Sequence, residues 1–194
     1  MNAVEFEQPV SQRTLIFEGL MRELPRFDER VFLKFVRNHG ELCGGLRTLN
    51  LTGASSDVTD HAHYVGLCWL RLAFEHLADA KAALRSRRDR SSYSRSYYAA
   101  YNASKAVRYV VEGVVSLKGD DHKLASDLPN DFEEVAKWGS IITRLYEHRL
   151  KADYDNWGGT REEMTLTPGE SVLFAEQFVL KAVSYLDDKF GIRQ

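Results

Sequence analysis

Apolar residues recur at three- and four-residue intervals through most of the chain, and polar breaks divide them into helices rather than strands. The most telling run is Ser94–Glu112, SRSYYAAYNASKAVRYVVE, which with Tyr93 carries five phenols among small residues. At 3.6 residues per turn, Tyr93, Tyr97, Ala100, Tyr101, Ser104, Val107, Val111 and Val114 share one face. A second strip, Ala99, Ala103, Ala106 and Val110, has almost no bulk and predicts close approach of another helix. Arg95, Tyr98, Asn102, Lys105 and Tyr109 form the remaining edge. A helix apolar on two sides and polar on the third belongs in the middle of a bundle.

The same reading orders the rest of the chain. Val10 to Leu24 is helical in spacing and stops at Pro25, and Asp28 can cap a short helix ending at Gly40. Residues 41–60 are rich in Gly, Thr and Ser, with LRTLNLTG as a brief extended candidate. The first long helix is expected from about Ala62 to Arg87, with Leu67, Leu70, Phe74, Leu77, Ala80 and Leu84 inward. The Tyr-rich helix follows, capped by Ser91, Ser92 or Ser94 and ending near Gly119. Asn130 with Glu133 predicts a capping box for a third helix reaching about Asp153. Thr167-Pro168-Gly169-Glu170 is the strongest start signal, opening a fourth helix with Val172, Ala175, Val179, Val183 and Leu186 inward. The prediction is an all-α protein: a four-helix up-and-down bundle over residues 61–194 and an N-terminal helical extension over residues 1–60.

Composition changes this picture little. The chain has 194 residues, 44% hydrophobic and 28% charged with 4 Pro, which excludes a disordered class. No charged start precedes an apolar run, and no stretch approaches a membrane span, so a cytoplasmic protein with no membrane contact is expected. Cys43 and Cys68 form no CxxC pattern and suit a reducing compartment. Asp57, Asp60, His61 and His63 are a weak metal hint, which capping and solvation also explain; no metal and no cofactor is expected.

Charge is distributed unevenly. Lys81 to Arg108 holds 8 basic residues against Asp89 alone, a net of +7, leaving 18 basic and 27 acidic residues elsewhere, a net of −9. Arg87, Arg88, Arg90 and Arg95, with Asn102 and Lys105, are therefore candidates for an anion-binding patch; a solvated turn explains RSRRDR equally well. On the third helix Val135, Ile142, Tyr146, Arg149 and Asp153 share a face, which directs a charged pair four residues apart toward the interior or an interface. That pair reads as a clamp fixing helix register or as a guanidinium offered to phosphate.

The segments SYSRSYYAAYNASKAVRYVVEG and LYEHRLKADYD, separated by a loop holding His122 and Lys123, resemble the HEPN family, in particular small prokaryotic members with an SRAYYAAFHAAKA-like helix and a later R-x-x-A-D-Y. The resemblance spans roughly His61 to Phe190 and implies the four-helix bundle. It further implies a homodimer with an interfacial cleft, metal-independent ribonuclease toxins or defence effectors, and a nucleotidyltransferase antitoxin partner. The implied signature is Arg, four to six residues, then His. Arg149 matches the Arg, but Tyr154, Asp155 and Asn156 stand where the His is due. Arg144 with His148 is too closely spaced, and Arg71 with His76 lies on the wrong helix.

Metal-free RNA cleavage requires a base, a proton donor and a cation. Arg149 can supply the cation, Tyr154 a donor, and Asp153 can position either; these three are the candidate catalytic residues. The leading expectation is a dimeric HEPN-like protein contacting RNA or a nucleotide, with endoribonuclease activity through a degenerate motif. The alternative is a non-catalytic dimeric module pairing with a nucleotidyltransferase or another protein.

Overall fold

The Tyr-rich helix is the shared neighbour of three others. In a computed structural model, which describes residues 38–113, 115–116, 120–155 and 164–190, the elements are α1 (His39–Thr48), α2 (Thr52–Arg85), α3 (Asp89–Glu112), a short 3-10 turn (Asp121–Leu124), α4 (Val135–Tyr154) and α5 (Pro168–Phe190). The architecture is all-helical: α3 packs on α2, α4 and α5, while α1 rests on α2. No helix among the described residues is long and apolar enough to cross a membrane. The expected helices before His39 and the stop at Gly191 lie outside the described residues.

Small residues let α2 and α3 approach closely. Ala99, Ala103 and Ala106 are fully buried, as are Ala62, Ala73 and Ala80 on α2. A Cβ placed on Gly66 would sit 2.2 Å from Val110 Cγ2 and 3.7 Å from the Ala106 carbonyl oxygen, so glycine is what allows contact at that level. The opposite face of α3 buries Tyr97, Ala100, Ser104 and Val107. Its hydroxyls find acceptors in the connecting segments: Tyr93 donates to the Leu166 carbonyl at 2.7 Å and Ser104 to the Ala125 carbonyl at 2.6 Å. Each bond removes the penalty of burying a polar group and ties a loop to the central helix.

Several boundaries differ from the sequence expectation. α2 starts at Thr52, about three turns before Ala62, and runs unbroken through the position near residue 60 where the bundle was expected to begin. The added turns receive α1. Cys43 Sγ contacts the Ser55 carbonyl at 3.5 Å and Thr59 Oγ1 at 3.3 Å, and Ser55 donates back to the Cys43 carbonyl. LRTLNLTG is therefore the end of α1, a turn and the first two residues of α2, not an extended piece. α3 ends at Glu112, short of Gly119, because Gly113 adopts a left-handed conformation with φ 73°. None of the three serines caps its start.

α4 begins at Val135, not Asn130. Glu134 is left-handed with φ 57°, and Glu133 and Glu134 bind Lys181 of α5 instead of closing a capping box. At α5 the expected box is present: Thr167 N–H donates to Glu170 Oε2 at 2.7 Å and Glu170 N–H to Thr167 Oγ1 at 3.2 Å. Val172, Ala175, Val179, Val183 and Leu186 are all buried. The third edge of α3 is less exposed than its polarity suggests. Asn102 is buried and donates back to the Tyr98 carbonyl at 2.8 Å, and Tyr109 is buried edge-on against Trp69 and His39.

The α1–α3 junction is a direct backbone approach. His39 Nε2 lies 2.8 Å from the Tyr109 carbonyl oxygen, and a Cβ on Gly113 would meet the Gly40 nitrogen at 2.5 Å. Gly113→Ala therefore combines a left-handed side-chain penalty with a backbone clash. A loss of about 1–3 kcal/mol is expected, read by urea denaturation, with α1 amides losing exchange protection first. An unchanged midpoint would show that α1 does not hold this junction.

Candidate functional site

α4 rolls from core to surface along one face. Ile142 is buried, Tyr146 half-buried, the Arg149 side chain 12% exposed and that of Asp153 29% exposed. Arg149 Nε stands 2.8 Å from Asp153 Oδ2, an ion pair one turn apart whose N–H is not aligned for a hydrogen bond. Arg149 Nη2 donates to Tyr98 Oη at 2.9 Å and to Tyr154 Oη at 3.2 Å. The guanidinium carbon also lies 5.4 Å from the Tyr98 ring centre and 5.0 Å from that of Tyr154, within cation–π range. Burial opposes the charge, but Tyr98, Tyr154 and Asp153 outweigh it and raise the pKa of Arg149. Nη1 has no partner among the described residues. The Arg149–Asp153 pair is thus partly a register clamp and partly a cation with donors to spare.

A histidine the sequence reading did not place joins this cluster from outside α4. His122 sits on the 3-10 turn, with Nδ1 2.8 Å from Tyr97 Oη and its ring 4.4 Å from that of Tyr101. The Tyr98 and Tyr146 ring centres are 6.1 and 6.3 Å away. Its pKa is lowered by burial first and next by the charge of Arg149, so the ring is neutral at neutral pH.

The turn is anchored by its neighbour Asp121, which accepts from Arg108 Nη2 at 3.0 Å, from Tyr101 at 2.9 Å and from the Ser116 N–H at 3.2 Å. Arg108 and Asp121 each expose only 4% of their side chains. Phenols at Tyr97 and Tyr101, one turn apart on α3, were the sequence signal for a group docking there.

The other candidates are placed differently. Arg90 leans across to the end of α4, donating from Nε to the Ala152 carbonyl and from Nη2 to the Asp155 carbonyl, both at 2.6 Å. It caps a helix, so the basic segment is not simply a solvated turn. Arg95 approaches Asp79 and shares a 3.1 Å contact with His76 Nδ1, while Lys105 rests 4.4 Å over Trp69. Arg87 and Arg88 are exposed at the α2–α3 turn, where Arg87 has φ 54°. Asn102 is spent on its own helix.

His148 is buried: Nε2 accepts the Thr165 N–H at 3.2 Å and its ring meets Tyr93 edge-on, fixing the approach to α5. His76 lies at the rim, its ring 5.5 Å from Tyr98. Asp57, Asp60, His61 and His63 do not converge: His61 is buried beside Tyr64 and His63 packs on Phe190. Among the described residues no group of three His, Cys, Asp or Glu side chains forms a metal site.

The fold and this cluster coincide with a known domain, since the HEPN domain model matches residues 67–183, from α2 into α5. The chain belongs to the HEPN domain family. A Methanocaldococcus jannaschii protein named "Putative toxin MJ0605" is 31% identical over 118 residues, covering 57% of this chain and 80% of that protein. No solved structure matches the chain. Within this HEPN chain, the match includes the Tyr-rich helix, His122 and Arg149.

Two expectations follow from the geometry. Arg90→Gln frees two carbonyls at the end of α4, so hydrogen exchange at Asp155 and neighbouring amides should accelerate, with little loss of global stability. Unchanged exchange there would remove Arg90 from the support of Tyr154. The second concerns acid. Burial is the first cause lowering His39, His63, His76, His122 and His148 from 6.5, so the unfolded chain binds protons more readily than the folded one. Stability contributed by the neutral rings is complete above 6.5 and is lost as pH falls from there through the lower folded values. Thermal melts should decline over that window, and a flat profile would contradict the histidine burial.

Proposed function

We propose that this HEPN protein is a toxin-type effector that binds RNA by taking a phosphodiester on Arg149, in a homodimer that brings two such sites together. The observation that carries this reading is the state of Arg149. It is a cation held in place by Asp153, Tyr98 and Tyr154, with Nη1 bonded to none of the described residues and so a candidate donor to a phosphate oxygen. Two phenols beside it add donors, and the name of the archaeal relative supports the toxin class. The exposed arginines Arg87 and Arg88 extend the positive surface a strand would follow.

The site is better furnished for holding phosphate than for cleaving it. Cleavage needs a base for the 2′-hydroxyl, and the only carboxylate beside Arg149 among the described residues is neutralised by it. Ribonuclease activity would therefore require a base from outside this cluster, with the second protomer of the dimer as its source; a nucleotidyltransferase enters as the antitoxin partner. Incubation of the pure protein with total RNA, with and without chelator, separates a metal-free nuclease from a binding module.

Three or four phosphate contacts on a single strand predict a salt slope between about −2 and −3. Arg149→Ala should weaken RNA binding about tenfold or more and cost about 1–2 kcal/mol of stability, because the lost pair is only partly buried. RNA affinity and slope equal to wild type in that variant would reject Arg149 as the phosphate site.

A further inference from the structure

Tyr97 is fully buried, and among the described residues its hydroxyl has one hydrogen-bonding neighbour, Nδ1 of His122 at 2.8 Å. A buried phenol that does not donate incurs a desolvation penalty of about 1–3 kcal/mol. Its pKa is pushed up by burial first and then by Tyr101, so the proton stays on the oxygen. Donation from Tyr97 requires the lone pair of His122 to be on Nδ1. The single proton of the neutral ring then resides on Nε2, which has no partner among the described residues.

Three further contacts fix where that Nε2–H is presented. Asp121, next in sequence, is locked to Arg108 and Tyr101, so the turn cannot swing away. The Tyr101 ring packs on the imidazole at 4.4 Å. Tyr98 neighbours both functional groups, its ring 6.1 Å from the His122 ring and 5.4 Å from the Arg149 guanidinium carbon. The groups facing His122 are Tyr97, Tyr98, Tyr101 and Lys105 from α3, Tyr146 and Arg149 from α4, and Asp121 beside it.

We infer that His122 is a binding residue of the Arg149 site, whose Nε2–H, oriented by the buried Tyr97 hydroxyl, donates a hydrogen bond to the phosphate that Arg149 holds. Tyr97 is its positioning residue. The assignment of a phosphate rests on the function proposed above; the assignment of the proton does not. It gives the histidine role to a residue from the α3–α4 connection, where α4 itself offers Tyr154. It also gives His122 the role of a fixed donor and not of a base, because the nitrogen able to accept is already occupied by Tyr97.

The experiment uses the full chain. Long-range proton–nitrogen spectra of the histidine rings at neutral pH should show His122 protonated on Nε2, and Tyr97→Phe, which keeps the ring and removes the hydroxyl, should shift the Nδ1 resonance. Protonation on Nδ1 overturns the inference whether or not RNA is a ligand. Inorganic phosphate and a short single-stranded RNA of mixed sequence are then titrated.

His122→Ala should weaken RNA binding about ten- to hundredfold, the range for a hydrogen bond to a charged group, while His122→Gln, which retains an N–H donor and no base, should recover most of it. Wild-type affinity in His122→Ala, or a Gln variant as weak as Ala, rejects the donor role while leaving Arg149 in place. Arg149→Ala at wild-type affinity rejects the RNA site itself. A wild-type protein that binds neither RNA nor inorganic phosphate overturns both.

Discussion

The buried pair of Arg108 and Asp121 is the constraint on which the site depends. Two charges almost removed from solvent are tolerated only when their remaining donors and acceptors are matched. Here Ser104, Tyr101 and the Ser116 backbone complete the set. Removing either partner would strand a charge beneath the central helix. An apolar pair of the same volume could keep the packing, but it would not hold a 3-10 turn by three directed bonds. The ionic solution converts the connection between α3 and α4 from a tether into a positioned element. His122 is placed because Asp121 cannot move.

The central helix does two jobs with different faces. Its alanine strip lets α2 come close enough that only glycine fits at Gly66, and this rigid pair is the frame. Four of its tyrosines engage segments from elsewhere in the chain through their hydroxyls: Tyr93 the approach to α5, Tyr97 and Tyr101 the 3-10 turn, Tyr98 the arginine of α4. Long-range order is therefore built from phenol hydrogen bonds on one helix. The raised pKa values of Tyr97 and Tyr101 keep them protonated throughout the physiological range.

How much of this was legible in the sequence follows from what sequence periodicity can encode. The all-helical class, the faces of α3, the inward row of α5 and its Thr167–Glu170 box came through because each rests on local spacing. The Arg149–Asp153 pair did too, being one turn apart. The start of α2 was missed because Gly53, Ser55 and Ser56 read as a loop until α1 is seen packing on that turn. Arg90 as a cap for α4 and His122 as a neighbour of Arg149 involve partners far apart in sequence, and no periodic pattern carries such contacts. Polarity misled at Asn102 and Tyr109 on the third edge of α3, both buried, the first bonded to its own helix backbone and the second packed edge-on against Trp69.

A structure of the full chain with a short single-stranded RNA bears most directly on the central claim. The account predicts a phosphate on Nη1 of Arg149, with Tyr98 and Tyr154 beside it and Nε2 of His122 within hydrogen-bond distance of the same phosphate. RNA seated on the Arg87–Arg88 turn or elsewhere, with no phosphate at Arg149, would contradict it.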